Sequence, residues 1–346
     1  MAMHIVHDLV SAPQAIRQLA SSLYAPRVLE QEVAANARPG GTHDAAGSYV
    51  TIGVFDGVHR GHQQLITRMV QAARSARKAA VAINFDPHPA ITLGYEPPPL
   101  LTTVEERAEL LAGLGLDVLV VLPFTPDLAR TAATDFVGML TTHLGLAGLW
   151  GGPDFALGHA REGDVPFLQH LGARQGFAVH IVEPLVWEGG VVSSSRVRTA
   201  LNSGDVRQAM GCLGRPYRLT NVVVHGDGRG RLIGVPTANL PPPPGRLVPA
   251  GGIYACLAQT AHRGVHPAVV NIGTRPTFAR NGLVVEAHLL DFHEDLYDRV
   301  LSLDFIARLR DERAFASSCA LVGQIREDIA QARAILGGYA STASAI

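Results

Sequence analysis

The sequence predicts two domains of different class: an α/β domain built on a parallel sheet, then a small antiparallel β-barrel closed by a long helix. Three observations carry this expectation. The chain has 346 residues, enough for two cores. Up to about residue 211, near-continuous apolar strands alternate with amphipathic helical stretches, as a parallel sheet covered on both faces requires. After Gly214 the pattern changes to short strands separated by Gly/Pro turns. The boundary is expected between 212 and 213.

Taken in order, MAMHIVHDLV carries histidines and an aspartate where a secretory signal needs a basic end and an apolar run. Residues 25–47 have no clear period, end in Pro/Gly-rich sequence, and read as an irregular insertion. YVTIGVF (49–55) reads as a strand. Residues 61 to about 78 read as a helix with Leu65, Ile66, Met69, Val70 and Ala73 on one stripe. AAVAINF (79–85), DVLVVLPF (117–124) and GFAVHIVEP (176–184) are further strands, with VEERAELLAGLG (104–115) a helix. In the second domain RLTNVVVHGD, GIYACLA, HPAVVNIG, VVEAHLLDF and RVLSLDFI are strands, and PPPPG (241–245) is a rigid connector. A helix over about 311–336 closes it, with Phe315, Leu321, Ile325 and Ile329 on its apolar side.

Composition narrows the class. With 29 basic and 30 acidic residues the net charge is −1, so no global field recruits nucleic acid or an anionic membrane, and any phosphate site is local. The longest uncharged stretch, 136–153, is broken by Thr141, Thr142, His143, Pro153 and five glycines, and is not a membrane span. Cys212, Cys256 and Cys319 form no CxxC and read as reduced thiols of a cytoplasmic protein.

Four loops of the first domain carry chemistry. VFDGVHRGH (54–62) takes a strand through a turn into a helix, whose N–H groups and dipole favour an anion. Asp56-Gly57 gives the turn, Gly61 lets the backbone approach a bulky anion, and His59 and His62 share a helical face. Alone, the pair also fits ordinary helix-start histidines, or half of a zinc site for which no third ligand is spaced. INFDPHP (83–89) brings Asp86 and His88 to the same expected edge. GPDFALGHAREGD (152–164) adds Asp154, Phe155, His159 and Arg161. VVSSSRVRTAL (191–201) sets serines and two arginines at a helix start, where serine is a favoured cap and arginine binds phosphate in a forked geometry. Together these loops point to a nucleotide.

In this order the motifs GVFDGVHRGH, NFDPHP, DFALGHAREGD and SSSRVR resemble the adenylyltransferase module of bifunctional prokaryotic FAD synthetases. The resemblance implies a Rossmann-like nucleotidyltransferase domain that binds ATP and transfers AMP to FMN without a covalent intermediate. It places catalysis on His59, His62 and Arg198, with Gly53, Phe55, Asp56, Gly61, Ser193, Ser194, Ser195 and Arg196 around ATP, and Asp86, His88, Asp154 and Phe155 on the flavin side.

In the second domain, PTAN sets Thr237 and Asn239 two apart on an extended segment. They are oxygen ligands for a hard cation, or an Asx/Ser-Thr turn before the prolines. LVVEAHLLDF (283–292) alternates, with Val285, Ala287 and Leu289 opposite Val284, Glu286 and His288. Glu286 there suits either a solvated strand face or a general base for a sugar-type hydroxyl. GDGRGRLIGVPTANL, GIYA, NIGTRPTF, EAHLLDF and LRDERAF are similar to the riboflavin kinase module. That similarity implies Glu286 as catalytic carboxylate, Thr237 and Asn239 on Mg²⁺ and ATP, and a loop with Gly226, Gly230, Arg231 and Gly234 over the phosphates. It sets Asn271, Thr277 and Arg310 by the flavin.

The resemblance spans about residues 49–336 and implies riboflavin, ATP, FMN and FAD as small-molecule partners, with Mg²⁺ as cofactor. It leaves the oligomeric state open. Four features depart from the family: the longer 25–47 entry, Val54 where many relatives have Asn, Ser195 for Thr, and Asp298 where relatives often carry Gly. Another HxGH adenylyltransferase would lack the kinase barrel. A flavin-binding regulator with a dead site would lose His62, Arg198 or Glu286, and all three are present.

Overall fold

The computed structural model describes residues 3–23, 47–226, 228, 230, 233–260, 264–274 and 282–343. The expected insertion, apart from Gly47, lies outside the described residues, as do Arg231 and Thr277. Two compact units emerge: residues 1–98 with 102–186, and residues 99–101 with 187–346.

The first unit runs β1 (His4–Val6), α1 (Ala12–Leu23), β2 (Ser48–Ile52), α2 (Arg60–Ser75), β3 (Ala79–Phe85), α3 (Pro89–Thr92), α4 (Val104–Gly113), β4 (Val118–Leu122), α5 (Pro126–Arg130), α6 (Ala133–Leu144), β5 (Leu146–Gly151), α7 (Val165–Gln175) and β6 (Ala178–Ile181). Its six strands are all parallel, in the order β1-β4-β3-β2-β5-β6. The apolar strands expected from the sequence are buried on both faces, because alternate residues go to opposite cores. Val81 and Ile83 pack with α1, α6 and α7 residues, and Ala80 and Ala82 pack with Ile66, Met69 and Ala73 of α2.

The uncharged stretch 136–153 is not one element. Gly145, at φ +58°, ends α6 in a left-handed cap and releases the chain into β5. The glycines that make LAGLWG look unlike a strand are required there: a Cβ on Gly148 would lie 2.9 Å from the Tyr49 ring, and one on Gly151 2.6 Å from Phe155.

Short strands β7 (Val186–Trp187) and β8 (Gly190–Val191) lead into α8 (Ser194–Asn202) and α9 (Val206–Leu213). The barrel strands are β9 (Tyr217–Val222), β10 (Ala238–Leu240), β11 (Gly252–Thr260), β12 (Gly264–Thr274), β13 (Leu283–Leu289) and β14 (Val300–Arg310), followed by α10 (Ser318–Ala343). They form an antiparallel sheet ordered β10-β13-β12-β11-β14-β9. An isolated antiparallel bridge, Val224–Asn239, joins its two edges. The barrel with a closing helix is therefore present. α10 lays Ala332 and Leu336 on Ala255 and Ile306.

Residues 187–212 group with the second unit by contact, because α9 packs on β9 and β14. One element boundary differs from expectation. The closing helix starts at Ser318 rather than about 311: the Ser317 hydroxyl accepts the Ala320 N–H at 3.2 Å and so caps it, leaving 311–316 irregular.

Candidate active sites

In the first unit, β2 lies between β3 and β5, and the chain leaves β2 toward β3 while β5 lies on the other flank. A crevice at the carboxyl ends of strands forms where connections diverge in this way. The loops after β2, β3 and β5 thus bring 53–59, Asp86 with His88, and 152–164 to neighbouring strand ends. Asp86 and Asp154 are exposed, and Phe155 packs partly against the core. His88 caps α3, accepting the Ala90 N–H at 3.1 Å.

The turn after β2 is unusual. Phe55 and Val58, neither of them glycine, have φ of +50° and +39°. Such backbone persists only where surroundings enforce it. Asp56, 2% exposed, accepts from the Thr102 N–H at 3.0 Å and its hydroxyl at 3.1 Å. The Gly57 N–H donates to the same hydroxyl at 3.0 Å. Asp56 thus lies beneath the turn, holding its shape from within.

His59 is the N-cap of α2: its Nδ1 accepts the His62 N–H at 3.3 Å, which places the proton of the neutral ring on Nε2. The two imidazoles stack at 3.6 Å, and Phe55 meets His62 edge-on at 5.3 Å. Burial, then the charges of His59 and Arg107, hold the His62 imidazole well below its ordinary range. At neutral pH His62 is therefore a neutral hydrogen-bonding group, not the charged one the motif also allows. Its Nδ1 is buried and has no hydrogen-bond partner among the described residues.

Ser193 to Arg198 open α8, in the second unit. Ser193 caps the helix by accepting the Arg196 N–H at 3.2 Å. The Arg196 guanidinium braces the preceding chain, donating to Trp187 O at 2.6 Å and Gly190 O at 2.7 Å, and Arg198 Nε donates to Pro99 O at 2.8 Å.

The second unit holds a cavity of about 540 Å³ floored by the barrel. Strand register explains its polar wall. Asn239 of β10 is opposite Glu286 of β13, which is opposite Asn271 of β12, and Asn271 is opposite Ile253 of β11. Directly paired residues share a face, so three residues distant in sequence form one cross-strand row. Val285, Ala287 and Leu289 are buried on the other face, as the alternation predicts. Glu286 does not face open solvent: Leu321 and Ile325 of α10 line the same cavity, with Val269 and Phe315. The Asn271 side-chain oxygen is buried and has no partner among the described residues.

Gly230 is required by close approach, since a Cβ would fall 2.3 Å from Val235 O, while one on Gly226 would displace the Asn239 amide, 2.2 Å away. Gly234 adopts φ +77°, which glycine permits without strain. Thr237 lines this cavity and a second one of about 440 Å³, walled by Ala287, Phe292 and Tyr297. Arg310 also lines the first, where its guanidinium is held by Asp328 at 2.7 and 2.9 Å, tying β14 to α10. Sequence reasoning missed Asp328, Phe315 as a wall, and the Asn84–Thr102–Arg107 group under the first site. Only the capping box Thr103-x-x-Glu106 signalled the last of these.

A family model described as FAD synthetase matches residues 42–196, and one described as riboflavin kinase matches 213–336. The chain is 40% identical over 291 residues to a bifunctional riboflavin kinase/FMN adenylyltransferase of Pseudomonas fluorescens, covering 84% of this chain and 93% of that one. It is 37% identical to the protein of that description in Escherichia coli K12, over 84% and 93%. A crystal structure described as a macrolide-efflux protein from Streptococcus pneumoniae superposes with a TM-score of 0.78 at 30% identity, over 85% of this chain and 95% of that one. Among the described residues, no helix is long and apolar enough to cross a membrane.

Proposed function

The chain belongs to the bifunctional riboflavin kinase/FMN adenylyltransferase family, and from that premise we propose how its own residues carry the two reactions. Riboflavin and ATP give FMN and ADP in the C-terminal module. FMN and a second ATP then give FAD and pyrophosphate in the N-terminal module. The observation that carries the residue-level reading is the row Asn239–Glu286–Asn271 facing a cavity of about 540 Å³.

In the kinase module, Glu286 takes the proton from the terminal ribityl hydroxyl as that oxygen attacks the γ-phosphorus. Ile253, Val269, Phe315, Leu321 and Ile325 offer apolar area for the flavin ring, and the Asn271 oxygen accepts from a ligand N–H or O–H. Thr237 sits between the two cavities, which suits the second for the nucleotide and the 226–234 segment for its phosphates. The oxygens of Thr237 and Asn239 beside Glu286 suit Mg²⁺, which when bound neutralises phosphate charge.

In the adenylyltransferase module the FMN phosphate attacks the α-phosphorus of ATP and pyrophosphate leaves. The N-terminus of α2 receives phosphate oxygens, and His59 and His62 donate as charge accumulates, His62 from a neutral ring. Gly53, Phe55 and Asp56 shape that turn, and Gly61 keeps the helix start open. Asp86, His88, Asp154 and Phe155 are assigned to the flavin side. Roles for Ser193, Ser194, Ser195, Arg196 and Arg198 on ATP phosphates rest on the resemblance alone.

The test uses purified protein with riboflavin, ATP and Mg²⁺, and chromatography of the flavins. Glu286→Ala is expected to lower FMN formation at least a hundredfold and leave FMN-to-FAD conversion intact. His62→Ala should do the reverse. Loss of both activities in either folded variant would refute the assignment.

A further inference from the structure

Beneath the turn that presents His59 and His62 lies a buried polar group in which Thr102 and Arg107, from outside the family motifs, meet Asp56 and Asn84 from within them. Arg107, 3% exposed, projects from α4. Its NH1 donates to Asn84 Oδ1 at 2.7 Å, its NH2 to Thr102 O at 3.3 Å, and NH2 lies 3.8 Å from the Asp56 carboxylate. Asn84 is fully buried on β3, and its amide donates to Gly53 O at 3.1 Å and Val54 O at 2.7 Å. Thr102 completes the ring through Asp56 and Gly57. Every backbone unit from Gly53 to Gly57 except that of Phe55 is thereby gripped by a side chain of this group, directly or through Asp56.

A buried guanidinium is costly unless its donors are used in fixed directions, and here they converge on one turn. That turn holds the two left-handed non-glycine residues, Phe55 and Val58, and leads directly into His59. We infer that Arg107, acting through Asn84 and Thr102, is a positioning residue for adenylyl transfer: it locks the Gly53–Val58 turn so that both histidines stand in place before substrate arrives. The inference rests on the reading that AMP is transferred to FMN at this turn.

Because positioning acts on the transition state more than on ground-state binding, Arg107→Met and Asn84→Ala should each lower kcat for FAD formation from FMN and ATP tenfold or more. KM for both substrates should stay within twofold, and riboflavin phosphorylation by the same preparations should be unchanged. Arg107→Lys keeps the charge but not the fork, and should recover less than a third of the lost rate. The double variant should be no more than threefold worse than Arg107→Met, since both act in one network. The Gly57 amide should exchange with solvent at least tenfold faster in either single variant. If Arg107→Met does not fold, Asn84→Ala carries the same expectations alone. A folded variant with kcat within threefold of wild type, or losses that multiply in the double variant, would overturn the inference while leaving the activity assignment intact. A wild-type chain that makes FMN but no FAD would instead overturn the underlying reading, and this inference with it.

Discussion

His62 shows how one residue can be legible as a type and illegible as a state. Its place in HxGH is plain from the sequence, but the depressed proton affinity arises from burial and from His59 and Arg107 around it. The sign for stability follows. A histidine that is neutral when folded binds a proton more readily when unfolded, so stability is fully present above its unfolded pKa of about 6.5 and is lost as pH falls below that. Urea unfolding of the first unit should therefore weaken between about pH 6.5 and 5, and His62→Gln should flatten the slope. An unchanged slope would show that His62 is not the group responsible. Asp298 is a second case. It adopts φ +59° and its N–H donates to Val223 O at 3.0 Å. Aspartate tolerates this region better than most residues. Asp298→Ala should cost about 1 kcal/mol, whereas Asp298→Gly should be neutral or stabilising by urea titration.

Among elements, the parallel strands were legible because unbroken apolar runs have one economical burial, between two helical layers. β5 was not, since its glycines answer to Tyr49 and Phe155, one of them distant in sequence. The start of β4 offers a test of what aligns these strands. Asp117, 3% exposed, accepts the Ala80 N–H at 2.8 Å and two bonds from Arg74 at 2.6 and 2.7 Å. Asp117→Ala would leave that strand N–H without its acceptor and should lower stability by about 2 kcal/mol, read by thermal or urea unfolding. A change below about 0.5 kcal/mol would show that water replaces the carboxylate. In the barrel, period-two alternation placed Glu286 on the right face, but its partners Asn239 and Asn271 came from register, which sequence spacing does not encode.

For the whole molecule, the two units can be followed separately, because the chain has two tryptophans: Trp150 belongs to the first unit and Trp187 to the second. The second unit is not one continuous segment. Residues 99–101 join it, with Leu100 N–H donating to Gly245 O at 2.8 Å and Leu247 N–H donating to Leu100 O at 2.9 Å. A fragment of residues 187–346 loses this strap, so Trp187 fluorescence should report unfolding at lower urea for the fragment than for this unit in the full chain. Equal midpoints would mean the strap contributes nothing.

By itself the sequence determined the two fold classes, the order of the catalytic motifs and the family, since periodicity and local motif chemistry are properties of short segments. Tertiary structure decided the rest. It grouped 187–212 with the barrel, aligned Asn239, Glu286 and Asn271 across three strands, set His62 neutral, and placed Arg107 beneath the histidine turn. Each depends on residues distant in sequence meeting in a low-dielectric interior. There, proximity rather than sequence order sets charge and geometry.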